Sequence, residues 1–297
     1  MFKNGNGQVR SGWVLILAVI VYLIGQSVFM FPGLLAWMAM EKGEILGLSE
    51  SEILTKIEAF PWISLLTNGG GVIGAIIVTW LLWKLIFKRK LRDMGFHRSR
   101  GDFLFGLFLG AISITIIFLV LFVSKQITLE NGMMHPIFSM YTLTYLLLFI
   151  LVGFSEEMFF RGLIVSTLRS RGNSTVVVYV VSALIFGLAH GANPNASLLG
   201  IINIFLVGLL FIYMYVVTER LWLPIGYHIT WNYFQGNVFG FPVSGTNPHG
   251  IYHVTVDDNT SFLTGGSFGL EGGLMATILI IVGFIATRWY ASRRKHA

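Results

Sequence analysis

Residues 145–162 read Tyr-Leu-Leu-Leu-Phe-Ile-Leu-Val-Gly-Phe-Ser-Glu-Glu-Met-Phe-Phe-Arg-Gly. An uncharged run from Tyr145 to Ser155 leads without a break into Glu156, Glu157 and Arg161. Taken to its apolar limits, at about 139–168, the segment exceeds the roughly 20 apolar residues that a helix needs to cross a bilayer. Its hydrophobicity is continuous, whereas a barrel strand alternates at every second residue. The stretch is a membrane helix with ionisable groups inside it. An ionised side chain at a helix centre costs roughly 2.5–3.5 kcal/mol on insertion. Three of them must pair or face water, and they mark a functional site by default.

The rest of the chain has the same character. Of 297 residues, 55% are hydrophobic and only 11% charged, with a mean hydropathy of +0.75. A soluble domain carries about 25% charged residues. Apolar segments recur at about 13–37, 61–87, 102–124, 139–168, 174–192, 197–217, 222–240 and 270–288. The expected architecture is all-α and polytopic: one membrane domain over 1–297, about eight transmembrane helices around an intramembrane cavity, and a functional core at 139–240. The first segment follows Lys3 and Arg10. It is longer than the ~7–15-residue core of a signal peptide and no A-x-A site follows, so it is expected to be a retained span. The chain has no cysteine, which excludes disulfides, thiolate nucleophiles and cysteine metal sites.

The net charge of +6 is distributed between spans, which argues against a nucleic-acid partner. Lys3 and Arg10 precede span one; Lys84, Lys88, Arg89, Lys90, Arg92, Arg98 and Arg100 surround the second connection; Arg169 and Arg171 follow span four; Arg293, Arg294 and Lys295 close the chain. The alternate connections are acidic or neutral, with Glu41, Glu44, Glu50, Glu52 and Glu58 against Lys42 and Lys56, and later Asp257 and Asp258. Eight spans put every basic cluster on one side, so both termini are expected in the cytoplasm. Connections 38–60 and 241–269 then face outward. The second, with its glycines and prolines, reads as irregular, and His249 and His253 in it read as solvated rather than as a metal pair, since two ligands are too few for a closed site. Gly70-x-x-x-Gly74 and Gly106-x-x-x-Gly110 read as helix-packing motifs, and Asn68, Ser182 and Asn203 as interhelical hydrogen-bonding residues.

Glu157 and Arg161 stand four apart, share a helix face and are placed to pair. Glu156 is rotated about 100° away and is the carboxylate left for proton transfer. Span five ends in Phe186-Gly-Leu-Ala-His190, and span seven opens with His228-Ile-Thr-Trp-Asn232, which places His228 and Asn232 on one face. Together these residues supply the parts of water-mediated amide hydrolysis. A glutamate helped by a histidine deprotonates water, and a second histidine with an asparagine amide donates to the oxyanion.

Three ordered motifs, Glu156-Glu157-x-x-x-Arg161, Phe186-x-x-x-His190 and His228-x-x-x-Asn232, resemble those of the CAAX prenyl protease and bacteriocin-processing (CPBP or Abi) family of intramembrane proteases. The resemblance covers about 145–240. It implies that Glu156 and His190 activate the hydrolytic water, that His228 and Asn232 stabilise the oxyanion, and that Glu157, Arg161 and Phe186 support the site. No cofactor is favoured. Were the enzyme metal-dependent, Glu156, His190 and His228 would offer zinc three ligands and an open position, but the helix lacks the H-E-x-x-H pairing.

The expected partners are a membrane-associated peptide or protein substrate, lipidated or not, and the bilayer itself. The expected location is the cytoplasmic membrane of a prokaryote. Two other functions compete: a non-catalytic immunity or scaffold protein, and a proton- or ion-coupled transporter, for which paired broken helices are missing. Straight spans leave one conflict. They place Glu156 toward the cytoplasmic half of its helix, His190 near the outer end of the next and His228 back near the cytoplasmic end.

Overall fold

A computed structural model describes residues 2–41, 47–257 and 260–294. Lys42, Glu44, Asp258 and Lys295, counted above among the connection charges, lie outside the described residues. Helices α1 (Ser11–Met40), α2 (Glu50–Glu58), α3 (Pro61–Phe87), α4 (Arg100–Val123) and α5 (Met140–Ser170) are followed by α6 (Thr175–Ala189), α7 (Leu198–Thr218), α8 (Trp222–Tyr233) and α9 (Leu274–Arg294). Serines start several of them: Ser99, Ser174 and Ser197 each accept a hydrogen bond from a first-turn backbone N–H of α4, α6 and α7. Left-handed residues, Lys88 and Glu219, end α3 and α7.

Seven of these helices are long and apolar enough to cross a membrane, and the protein is an all-α polytopic membrane protein. Of the eight expected spans, the seventh, α8, is the short one. That helix has 12 residues and continues for five more as a wider π turn, Phe234–Val238. At 1.5 Å per residue it reaches only about 25 Å. It is packed inside the bundle, and Leu223 through Ile229 are all buried. Hydropathy cannot separate such a helix from a lipid-facing one, because protein and lipid tails are equally apolar.

Glycines allow this burial. A Cβ on Gly106 would fall on the carbonyl of Leu223, and one on Gly110 on the carbonyl of Tyr227. The Gly106-x-x-x-Gly110 face of α4 is therefore the seat of α8. The contact continues to Phe118 and Phe239, whose rings stack 4.1 Å apart. The chain thus passes from one end of the bundle to the other along α4.

Both described chain ends lie at one end of the bundle. Arg171 donates to the Val9 carbonyl (2.9 Å), Tyr215 to Met94 (3.1 Å) and Arg294 to Thr218 (3.4 Å). The opposite end carries a two-stranded antiparallel ribbon, β1 (Ile127–Leu129) with β2 (Val254–Val256), so the connection 241–269 is more ordered than its composition suggests. His249 is exposed, with its ring 3.8 Å from that of Tyr141. Asn203 bonds across to Glu271 and Gly273 carbonyls and to Thr277, and Ser182 to Phe160, as interhelical residues should. Asn68 does not: its amide bonds Ser64, one turn back on its own helix.

Candidate active site

The centre of the bundle is the second half of α5. From Glu157 to Ile164 the helix widens into a π segment, and every residue of it is buried. Such widenings misalign the backbone ladder locally and recur at functional sites. Here the wide turn keeps Glu157 and Arg161 in register: Arg161 Nη1 lies 2.8 Å from Glu157 Oε1, with neither side chain exposed. The second guanidinium nitrogen donates to the Gly208 carbonyl at 3.3 Å. The guanidinium carbon is 4.3 Å from the Phe186 ring centre, 4.9 Å from Phe211 and 5.8 Å from Phe160. Aromatic faces carry negative quadrupole density, so this cage stabilises a cation that water cannot reach.

Glu157 serves a second partner. His228 Nδ1 lies 2.9 Å from the same Oε1. That oxygen already accepts from Arg161, so it accepts again, and the proton of the His228 ring sits on Nδ1. His228 Nε2 is then the working nitrogen, and it faces Glu156 Oε2 at 3.8 Å. His190 is set in the same way. Its Nδ1 is 2.8 Å from the Phe186 carbonyl, an acceptor only, which leaves Nε2 free. The Phe186 ring packs edge-on to both imidazoles, at 4.8 Å from His190 and 6.4 Å from His228.

Glu156, His190, His228 and Asn232 all line one cavity of about 190 Å³. The depth conflict between straight spans disappears. Glu156 is the last residue before the π segment, midway along the 31-residue α5, and His190 sits just past the end of α6 in a tightened 3-10 turn. Glu156 Oε2 is buried without a hydrogen-bond partner among the described residues. A carboxylate oxygen in that position is poised for an external polar group. Apolar walls come from Phe149, Val152, Ile204, Val207 and Trp231.

Glu271 was not anticipated. It lies in a 3-10 turn just before α9, is buried, and lines the same cavity. Gln235 donates to its Oε2, and Ser244 approaches both oxygens. Ser244 in turn accepts from Asn193 (3.0 Å), three residues after His190. Burial raises the Glu271 pKa above the usual carboxylate range, partly offset by these hydrogen bonds. Its only sequence signal is a lone acid among glycines ahead of an apolar helix, which is weak.

Among the described residues no three His, Asp or Glu side chains converge closely enough to hold a metal ion. Glu157 and the Phe186 carbonyl engage the two Nδ1 atoms, and 3.8 Å separates Glu156 from His228.

Residues 138–234 match the family model of the type II CAAX prenyl endopeptidase Rce1-like proteins, about a third of the 297-residue chain and the part that contains all three motifs. That family is one of proteases. No curated protein and no solved structure matches the chain.

Proposed function

We propose that this chain, a CAAX-type membrane protease by its Rce1-like core, hydrolyses a peptide bond with a water activated by Glu156. The observation that carries this reading is the convergence of Glu156, His190, His228 and Asn232 on one cavity, with both histidine Nδ1 atoms committed elsewhere.

Glu156 takes a proton from water held between it and His190 Nε2, and the water oxygen bonds to the substrate carbonyl carbon. The carbonyl electrons move onto the oxygen. Asn232 Nδ2, which bonds no described side chain or backbone group, donates to that oxyanion, as does His228 from Nε2 when it is protonated. The C–N bond then breaks, and the proton on Glu156 passes to the departing amine. Products are a carboxylate and an amine. Glu157 and Arg161 touch no substrate in this scheme: Glu157 orients His228, and Arg161 balances Glu157. No step passes through a metal.

The substrate is a membrane-associated peptide or protein segment, and the apolar walls suit an apolar or lipid-modified one. The membrane is the cytoplasmic membrane of a prokaryotic cell. Purified protein carrying Glu156→Ala or His190→Ala, assayed on a fluorogenic prenylated CAAX peptide and on membrane peptides extracted from the host, is expected to be folded and inserted but at least ~100-fold slower. Undiminished cleavage by both variants refutes the proposal and leaves a scaffold role.

A further inference from the structure

The cavity around Glu156 has an open end and a sealed end. Its rim comes from Val243, Ser244 and Thr246 in the connection after α8, from Asn193 after α6, and from Glu271 before α9. All of these belong to the end that carries the β ribbon. A second crevice that also touches Glu156 and His190 runs between α1, α5 and α6, from Asn193 and Gln26 down to Val19, Phe159 and Phe160, and ends there among buried side chains.

The other end is closed immediately below the catalytic carboxylate. Glu157, Met158, Phe159, Phe160, Arg161 and Leu163 follow Glu156 along α5, and each is almost wholly inaccessible. Arg161 with its three phenyl rings forms a plug one side chain thick, and the layer beneath it, with Ile164, Leu221 and Ile225, is as tightly buried. Neither cavity that touches Glu156 is lined by a residue of the connections 88–99, 171–174 or 219–221.

These sealed-end connections are the basic ones. Lys88, Arg89, Lys90, Arg92, Arg98, Arg171 and Arg220 lie there, whereas among the described residues Lys56 and Lys125 are the cations of the connections at the open end, against Glu41, Glu52, Glu58, Glu130 and Asp257. Lysine and arginine excess marks the cytoplasmic side of a membrane protein. We infer that the catalytic cavity opens away from the cytoplasm and takes its substrate, an extended peptide segment, from the extracytoplasmic face. This rests on the protease reading for its substrate but not for its geometry. A prenylated tail on the cytoplasmic leaflet would meet the sealed end. The class of substrate is therefore a translocated or membrane-anchored peptide whose cleavage site is exposed outside.

The chain has no cysteine, so single cysteines report accessibility without background. Thr246 and Asn247 are exposed beside the cavity rim, and Ser292 is exposed at the basic end. In intact cells a membrane-impermeant maleimide is expected to label Thr246→Cys or Asn247→Cys and to spare Ser292→Cys until the cells are lysed. Labelling of Ser292→Cys in intact cells, with the rim cysteines reacting only after lysis, overturns the inference and leaves the protease reading standing. Conversely, the expected labelling together with full cleavage by Glu156→Ala keeps the orientation and removes the protease reading.

Discussion

Removing Glu157 while keeping Arg161 isolates the energetic core of the site. In Glu157→Gln the guanidinium stays in a place where none of it is exposed, with the neutral glutamine amide oxygen, the Gly208 carbonyl and three phenyl faces as its remaining partners. Breaking a buried pair by removing one partner costs about 3–5 kcal/mol. The aromatic cage is retained and is worth up to ~2 kcal/mol to a desolvated cation, so the loss should fall near ~3 kcal/mol. Arg161→Met alone strands the Glu157 carboxylate with only His228 and an Oε2 that already lacks a partner, and should cost as much or more. The double variant buries no unpaired charge and should recover most of either loss, since neutral replacements of buried pairs are often tolerated. Unfolding of the purified protein by denaturant in lipid–detergent micelles, followed by tryptophan fluorescence, measures all four corners of the cycle. Two single losses of ~3 kcal/mol and a double loss of ~1 kcal/mol give a coupling energy of ~5 kcal/mol. Additivity within ~0.5 kcal/mol, the behaviour of independent sites, would refute the claim that these residues act as one unit.

Three further outcomes follow from the same geometry. Asn232→Ala should lower kcat about 10²–10³-fold with little change in KM, as loss of an oxyanion donor does; a KM effect alone would place Asn232 in substrate binding instead. Gly110→Leu should force α4 from α8, displacing His228 and abolishing both activity and the folded yield, while Gly101→Leu, which has no such neighbour, should be tolerated. The raised Glu271 pKa has a definite sign: between the ordinary carboxylate value and the raised one the native state holds a proton that the unfolded chain lacks, so this contribution is present at low pH and lost as pH rises through the raised value. Thermal unfolding across pH 4–8 should show that fall in wild type and a flatter profile in Glu271→Gln; identical slopes would contradict it.

The fold was legible from run length, because every backbone polar group in lipid must be satisfied within its own helix. Pro61–Phe87 begins and ends where the apolar run does. That α8 is short and packed inside the bundle was not legible, because its seat on α4 depends on glycines whose partner no periodicity names. The motif residues stood out as polar groups in apolar surroundings, and the Glu157–Arg161 pair followed from helix spacing. What spacing could not show was that one glutamate oxygen serves both Arg161 and His228, which is a tertiary fact. Glu271, Ser244 and Asn193 come from three separate connections, so only the folded chain puts them on one cavity.

Glu156 is the claim on which the mechanism turns. Quantitative mass spectrometry of membrane and secreted peptides, comparing cells with wild-type protein and cells with Glu156→Ala at equal abundance, tests it most directly. The account predicts one or a few uncut membrane peptides that accumulate only in the variant, with their cut sites on the extracytoplasmic side. Indistinguishable peptide sets, with the variant still supporting the cellular function, would contradict it.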